Sequence, residues 1–205
     1  MTYTRRRLYV GEDTETRYQK QLDSVLRDWY LGNARQSNHT LYKFDLGTAK
    51  NKEYESEIPL QAFPFEGHLM RGMDFVRLGA DNFTAKKGYG FADASGIKVC
   101  ERQGPDQLRY DFVEGENDAE FIIEAPRGQY EMLVISGDSE EDSVTIARME
   151  NSRKIGGALV KKGRFQSEII PFIQERDLPI RLHLSTVPGY KWKLNAIILN
   201  VIRGY

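Results

Sequence analysis

The sequence predicts an all-β protein, a jelly-roll β-sandwich of two sheets preceded by an amphipathic helix. Three observations carry this. From residue 41 onward, short runs alternate apolar with polar side chains, the period of a half-buried strand. Clusters of Gly, Pro, Asn and Asp stand between the runs. Eight or more such runs follow one another, which suits two packed sheets. The stretch from Leu108 to Asp138 shows the pattern most plainly. Leu108, Tyr110 and Phe112 alternate with Arg109 and Asp111, while Phe121–Ile123 and Tyr130–Ile135 are β-branched or aromatic-rich. Pro126-Arg127-Gly128-Gln129 between them has turn chemistry, so the stretch reads as an antiparallel meander.

Residues 1–12 show no period and carry Arg5, Arg6 and Arg7, a short solvated basic run. From Thr14 to Leu31 the period becomes helical, with Tyr18, Leu22, Val25, Leu26, Trp29 and Tyr30 on one stripe. Asp13 or Thr14 can cap its start, and Gly32 with Asn33 can end it. Such a stripe must be buried, either on the following β domain or on a partner chain or neighbouring catalytic domain. A polar link closes this first segment, residues 1–40, and the sandwich occupies residues 41–205. Leu41–Leu46 opens the strands with Tyr42, Phe44 and Leu46 on one face. Residues 47–83 lack clear periodicity, and a loop of that length carries function or covers an edge. Gly88-Tyr89-Gly90-Phe91, the run at Ile97, the meander, Ser143–Arg148 and Arg164–Ile173 supply further strands. In Pro179–Ser185, Ile180, Leu182 and Leu184 face in, and Arg181, His183 and Ser185 face out. Lys191–Ile202 becomes apolar on both faces, as a central strand does.

Charge and composition narrow the function. The 205 residues include 29 Lys plus Arg against 30 Asp plus Glu, a net charge of −1. That balance gives no long-range pull toward nucleic acid or an anionic membrane, and no apolar run has the length of a membrane span. The amino terminus lacks the apolar core of a signal peptide, so a native Met1 implies a cytoplasmic protein. The single cysteine, Cys100, sits in an alternating run as a small strand residue and cannot form an internal disulfide or a zinc set. His39, His68 and His183 share no ligand spacing.

Gly137-Asp138-Ser139 spells the nucleophile motif of one class of serine esterases, and Gly115-Glu116-Asn117-Asp118 resembles their oxyanion segment. The order of the two is reversed, and the residue three before His183 is Ile180 where an Asp is needed. A serine without a placed base is not activated, so Ser139 is not read as a nucleophile. Glu140, Glu141 and Asp142 form an acidic turn that could hold a structural Ca²⁺, although their spacing matches no EF-hand. No other cofactor is implied. Gly156-Gly157 to Gly163 lacks the Lys-Ser/Thr ending of a phosphate loop and reads as a glycine-eased strand or turn. Aromatic residues are more informative. Tyr89 and Phe91 lie among glycines, and Tyr190 and Trp192 lie in a turn before the last strand. Sugars are recognised by stacking on such rings while polar side chains bond the hydroxyls; packing into the core is the alternative.

In order, Tyr42-Lys-Phe-Asp-Leu-Gly47, Gly88-Tyr-Gly-Phe91, Leu108–Val113, Phe121-Ile-Ile-Glu-Ala-Pro-Arg-Gly-Gln-Tyr130, Ser136-Gly-Asp138 and Trp192-Lys-Leu-Asn-Ala-Ile-Ile198 resemble a known family. It is the galactose-binding-like β-sandwich found beside catalytic domains in rhamnogalacturonan acetylesterases, β-agarases and polysaccharide lyases. The resemblance implies a non-catalytic, carbohydrate-binding-like module for a plant or algal polysaccharide. Tyr89, Tyr190, Trp192 and Asn195 are the expected ligand residues, with Arg102 and Arg109 able to pair with a uronic carboxylate. Two alternatives stand beside it: a sandwich that docks a larger glycan-active enzyme, and a small hydrolase or lyase using the loop at 50–83. The long segment 50–83 and the helix depart from the family pattern.

Overall fold

A computed structural model describes residues 40–48, 75–102, 107–150, 152 and 155–204. The expected helix at 14–31 and most of the 47–83 loop lie outside the described residues. The first described strands are β1 (Thr40–Leu46), β2 (Val76–Leu78), β3 (Tyr89–Phe91) and β4 (Lys98–Glu101). β5 (Asp111–Gly115), β6 (Ala119–Ile123), β7 (Gly128–Asp138) and β8 (Ser143–Met149) follow. β9 (Ile155–Val160), β10 (Arg164–Gln174), β11 (Ile180–Ser185), β12 (Trp192–Leu194) and β13 (Ala196–Gly204) complete them. One five-stranded sheet has the order β10-β7-β13-β1-β2, and a second has the order β3-β6-β11-β8-β9. A three-stranded sheet, β12-β5-β4, stands beside them. Pairing is antiparallel except between β1 and β2.

One hydrophobic core joins the sheets into a β-sandwich. Phe44, Tyr130, Met132, Val134, Ile170, Ile197 and Leu199 enter it from the first sheet. Phe91, Phe121, Ile123, Ala147, Leu182 and Leu184 enter from the second, and Val113, Trp192 and Leu194 from the third. Burying each large apolar side chain stabilises the fold by roughly 1.5–3 kcal/mol. Aromatic contacts cross the interior: Phe44 meets Phe121 at 5.3 Å, and Phe91 meets Phe121 at 5.0 Å, both edge-on. Such pairs add about 0.5–1.5 kcal/mol beyond their area.

Period and burial agree along β11, where Ile180, Leu182 and Leu184 are buried and Arg181, His183 and Ser185 are not. β7 and β13 are central. Met132 and Leu133 face opposite sides of the sheet, as do Ile197 and Ile198, and all four are buried. The alternation expected from Leu108 to Phe112 is corrected. Gln107–Arg109 form a 3-10 turn, which rotates Arg109 into the interior and Tyr110 out before β5 begins at Asp111. Pro126 ends up in the β6–β7 connection, where its carbonyl accepts a hydrogen bond from the Tyr130 hydroxyl. Gly156 and Gly157 lie in β9, a strand rather than a phosphate loop.

Gly115 is required by packing. A Cβ there would stand 2.4 Å from Cζ2 of Trp192, whose ring lies flat over the β5 backbone. Gly115→Ala is expected to destabilise the protein by about 1–3 kcal/mol through overpacking. Urea denaturation monitored by Trp fluorescence measures this, and a midpoint equal to wild type would contradict the placement of the ring.

Candidate functional site

The outward side of the β3-β6-β11-β8-β9 sheet carries a groove of about 600 Å³. Strand register builds its floor. Glu120 of β6 stands opposite His183 of β11, His183 opposite Arg148 of β8, and Arg148 opposite Ile155 of β9. A neighbouring row holds Ser185, Ile146 and Gly157. Residues opposite one another on adjacent strands have Cβ atoms about 4.5–5.5 Å apart, so each row is a continuous line of side chains. Ala92, Asp93, Asp118, Ala119 and Leu184 complete the lining.

Several of these groups are already oriented. Arg181 Nη1 donates to Glu120 Oε2 at 2.6 Å, and His183 Nδ1 lies 3.1 Å from Glu120 Oε1. The imidazole thus stands against the carboxylate through one ring nitrogen, and His183 lines the groove. Asp93 accepts the Ser95 backbone N–H at 2.9 Å, and that bond holds its carboxyl below the usual range. The Ala94 N–H donates to Asn82 Oδ1 at 2.8 Å, so the Asp93–Ser95 loop is tied at two points. Arg148 is exposed and makes no ion pair among the described residues. The groove thus offers carboxylate acceptors on its β3–β6 side, a guanidinium on β8, and aliphatic surface from Ile146 and Ile155. Ser185 Oγ makes no hydrogen bond to His183 among the described residues.

Three of the residues expected from sequence are interior and present no face to a ligand. Trp192 is fully buried; its Nε1 donates to the Asn117 carbonyl at 2.7 Å and its ring stacks with Phe91 at 6.3 Å. Asn195 is fully buried, with Nδ2 donating to the Asp111 carbonyl at 3.1 Å. Its backbone N–H bonds the Ile135 carbonyl and its carbonyl takes the Leu46 N–H, so it joins three segments. Arg109 is buried, its guanidinium 5.7 Å from the Phe165 ring centroid. The turn before Trp192 and Asn195 resembled a binding loop in sequence, but all three residues are enclosed within the fold. The other three are partly exposed and stand apart. Tyr89 packs on Phe44 at 4.9 Å and Tyr42 at 5.9 Å. Tyr190 sits in the β11–β12 turn, its N–H donating to the Val187 carbonyl. Arg102 follows β4, with Nε 3.0 Å from Glu140 Oε2. None of the six lines the groove.

The acidic turn 140–142 is neutralised residue by residue. Glu140 faces Arg102, Glu141 Oε2 accepts from Lys193 Nζ at 2.9 Å, and Asp142 accepts from Lys161 Nζ at 2.7 Å. Three carboxylates drawn to three cations do not form a calcium donor set, and no group of three or more potential ligands occurs among the described residues. Lys193 is itself fully buried. It donates to Asp138 Oδ2, lies 3.7 Å from Glu114 Oε2, and stands 5.1 Å from the Phe112 ring centroid. Lys191 closes the cluster by donating to Glu114 Oε1 at 2.7 Å, and that bond holds its ammonium pKa above the ordinary lysine value.

No protein-family model and no curated protein matches the sequence. Solved structures do. The protein YxiM of Bacillus subtilis superposes with a TM-score of 0.54 at 20% identity, over 79% of this chain and 40% of that one. A calcium-binding mutant of Bacteroides uniformis β-glucuronidase 2 gives 0.51 at 14% identity, over 78% of this chain and 18% of that one. The plant receptor-like kinase ANX2 gives 0.54 at 10% identity, over 78% and 47%. The chain therefore spans less than half of each of these proteins. What they share with it is the β-sandwich fold.

Lys193→Met leaves buried Asp138 with only the more distant Arg102 guanidinium, 3.9 Å from Oδ1, and is expected to cost about 3 kcal/mol. Adding Asp138→Leu recovers much of that loss; equal stability of the single variant and wild type by chemical denaturation would refute the pairing. A second expectation concerns pH. The hydrogen bond and charge of Lys193 hold the Glu141 carboxyl below its usual range. Because its folded value lies below its unfolded one, Glu141 stabilises the fold above the ordinary Glu range, and this contribution is lost as pH falls through the folded value. Glu141→Gln therefore destabilises the neutral protein, by less than about 1 kcal/mol because the side chain is 49% exposed. Thermal melts should show the gap from wild type closing in acid, and a gap independent of pH contradicts the ion pair.

Proposed function

We propose that this chain is a non-catalytic carbohydrate-binding module of the galactose-binding-like, jelly-roll type, accessory to a hydrolase, esterase or lyase acting on plant or algal polysaccharide. The single observation behind this reading is the open groove across the β3-β6-β11-β8-β9 sheet, lined by paired polar groups and aliphatic surface. Carboxylates, the Arg148 guanidinium and an imidazole paired with Glu120 suit vicinal hydroxyls, and Ile146 and Ile155 offer contacts to C–H faces. Rigid strands rather than loops carry these groups, so little ordering cost accompanies binding. The sequence resemblance and the shared sandwich fold support the reading at the level of scaffold. On this reading the binding surface is the sheet rather than the aromatic turns.

Native gels cast with soluble polysaccharides test this. Wild type is expected to be retarded by at least one plant or algal polymer without releasing reducing ends. Ser185→Trp, which fills the groove from its floor, should raise Kd by about tenfold or more while leaving the melting temperature near wild type. Tyr190→Ala should change Kd by less than about twofold. Unretarded migration in every polymer, or retardation that Ser185→Trp leaves intact, removes the groove as a carbohydrate site; product release replaces the module reading with an enzyme.

A further inference from the structure

The groove is polarised, and its polarity specifies the ligand more closely than the fold does. Asp93, Asp118 and Glu120 line the side formed by β3 and β6, and Arg148 lines the side formed by β8. Two strand spacings separate β6 from β8, about 10 Å. Between them stands His183, held through Nδ1 by Glu120. Glu120 also takes Arg181, so the cation adjoining the acidic side is neutralised within the protein. Arg148 is not. No carboxylate of the described residues lies within ion-pair distance of it, and its cross-strand neighbours are His183 and Ile155. An exposed guanidinium held on a strand, beside an imidazole nitrogen and without a counterion of its own, is a place for an oxyanion.

The geometry points to an anionic glycan as the ligand of the groove, its charged group bound by Arg148 with His183 beside it and its hydroxyls turned to Asp93, Asp118 and Glu120. The inference rests on the carbohydrate-binding reading and adds the substrate class. The opposite orientation places the anion against three carboxylates, where like charges repel. Orientation across the groove is therefore set by charge. A neutral polymer finds the same hydroxyl acceptors and loses only the Arg148 contact. Either a uronic carboxylate or a sulfate ester supplies the required chemistry, since both present paired oxygens to a guanidinium fork.

Calorimetric titration with matched polymers separates these sources. Polygalacturonate is compared with its fully methyl-esterified form, and a sulfated galactan with its desulfated form. The acidic member of at least one pair should bind about tenfold or more tighter than its neutral partner, the range of a charge-assisted hydrogen bond. The pair that shows the difference identifies carboxylate or sulfate. Arg148→Ala should abolish the preference for the acidic member, and Arg148→Lys should keep the charge but restore only part. If acidic and neutral members bind alike, or if Arg148→Ala retains the preference, the anionic inference is overturned and the module reading stands. If nothing in this set or in the gel panel binds, the module reading fails and takes the inference with it.

Discussion

The fully buried ammonium of Lys193 is the constraint on which the arrangement of the sheets depends. Removing a charge from water costs several kcal/mol after relaxation, and only close counter-charges and complete hydrogen bonding offset it. Those partners come from three places in the chain: Asp138 at the end of β7, Glu141 in the following turn, and Glu114 on β5. The Lys193 backbone is fixed as well, its N–H and carbonyl both bonded to the Thr145 hydroxyl on β8. One short strand is thereby tied to both large sheets. Such a cluster is weak evidence for net stability, because an apolar replacement of similar shape can be as stable. Its effect is on specificity: any other docking of β12 strands a charge.

That constraint reaches the groove. Lys193 stands opposite Glu114 in the β12–β5 ladder, and the adjoining pair is Trp192 with Gly115. The Trp192 ring covers Gly115 and its indole N–H holds the Asn117 carbonyl, which fixes the turn between β5 and β6. Asp118, the next residue, lines the groove. A buried charge pair therefore positions one edge of a surface site without touching it, as a support for residues that face solvent.

The sandwich was legible in the sequence because its signals are local. Alternation in Ile180–Ser185 identifies β11 and the side each residue faces, and the two-faced apolar run toward Val201 identifies the central strand β13. The single strand expected over Lys191–Ile202 nevertheless divides at Asn195, with Trp192–Leu194 forming an edge strand of another sheet. The meander was legible in outline, failing at Arg109, Tyr110 and Asp111, where one 3-10 turn reverses the inside and outside of three residues. The groove was not legible. Glu120, His183 and Arg148 meet only through the register of β6, β11 and β8, and spacing along the chain does not encode which strands become neighbours. His183 was visible as an outward residue; the identity of the groups beside it was not. Trp192 and Asn195 misled for the reciprocal reason. A Pro-Gly-Tyr turn before them signals exposure, while the strands that bury them lie far away in sequence.

The distribution of charge separates structural from functional polarity in this molecule. At the end bearing Glu140, Glu141 and Asp142, each carboxylate is matched to Arg102, Lys193 or Lys161, so the local field is cancelled where it arises. In the groove the matching is incomplete: among the described residues Asp93 and Asp118 meet no cation and Arg148 meets no carboxylate. Glu120 is shared by Arg181 and His183, while Arg148, directly across from His183, stays unpaired among the described residues. Exposed arginine carries little cost in water, so stability does not require a partner for it. What sets Arg148 apart is its place, on a strand between an imidazole and an aliphatic rim inside a groove, where a ligand can supply the counterion.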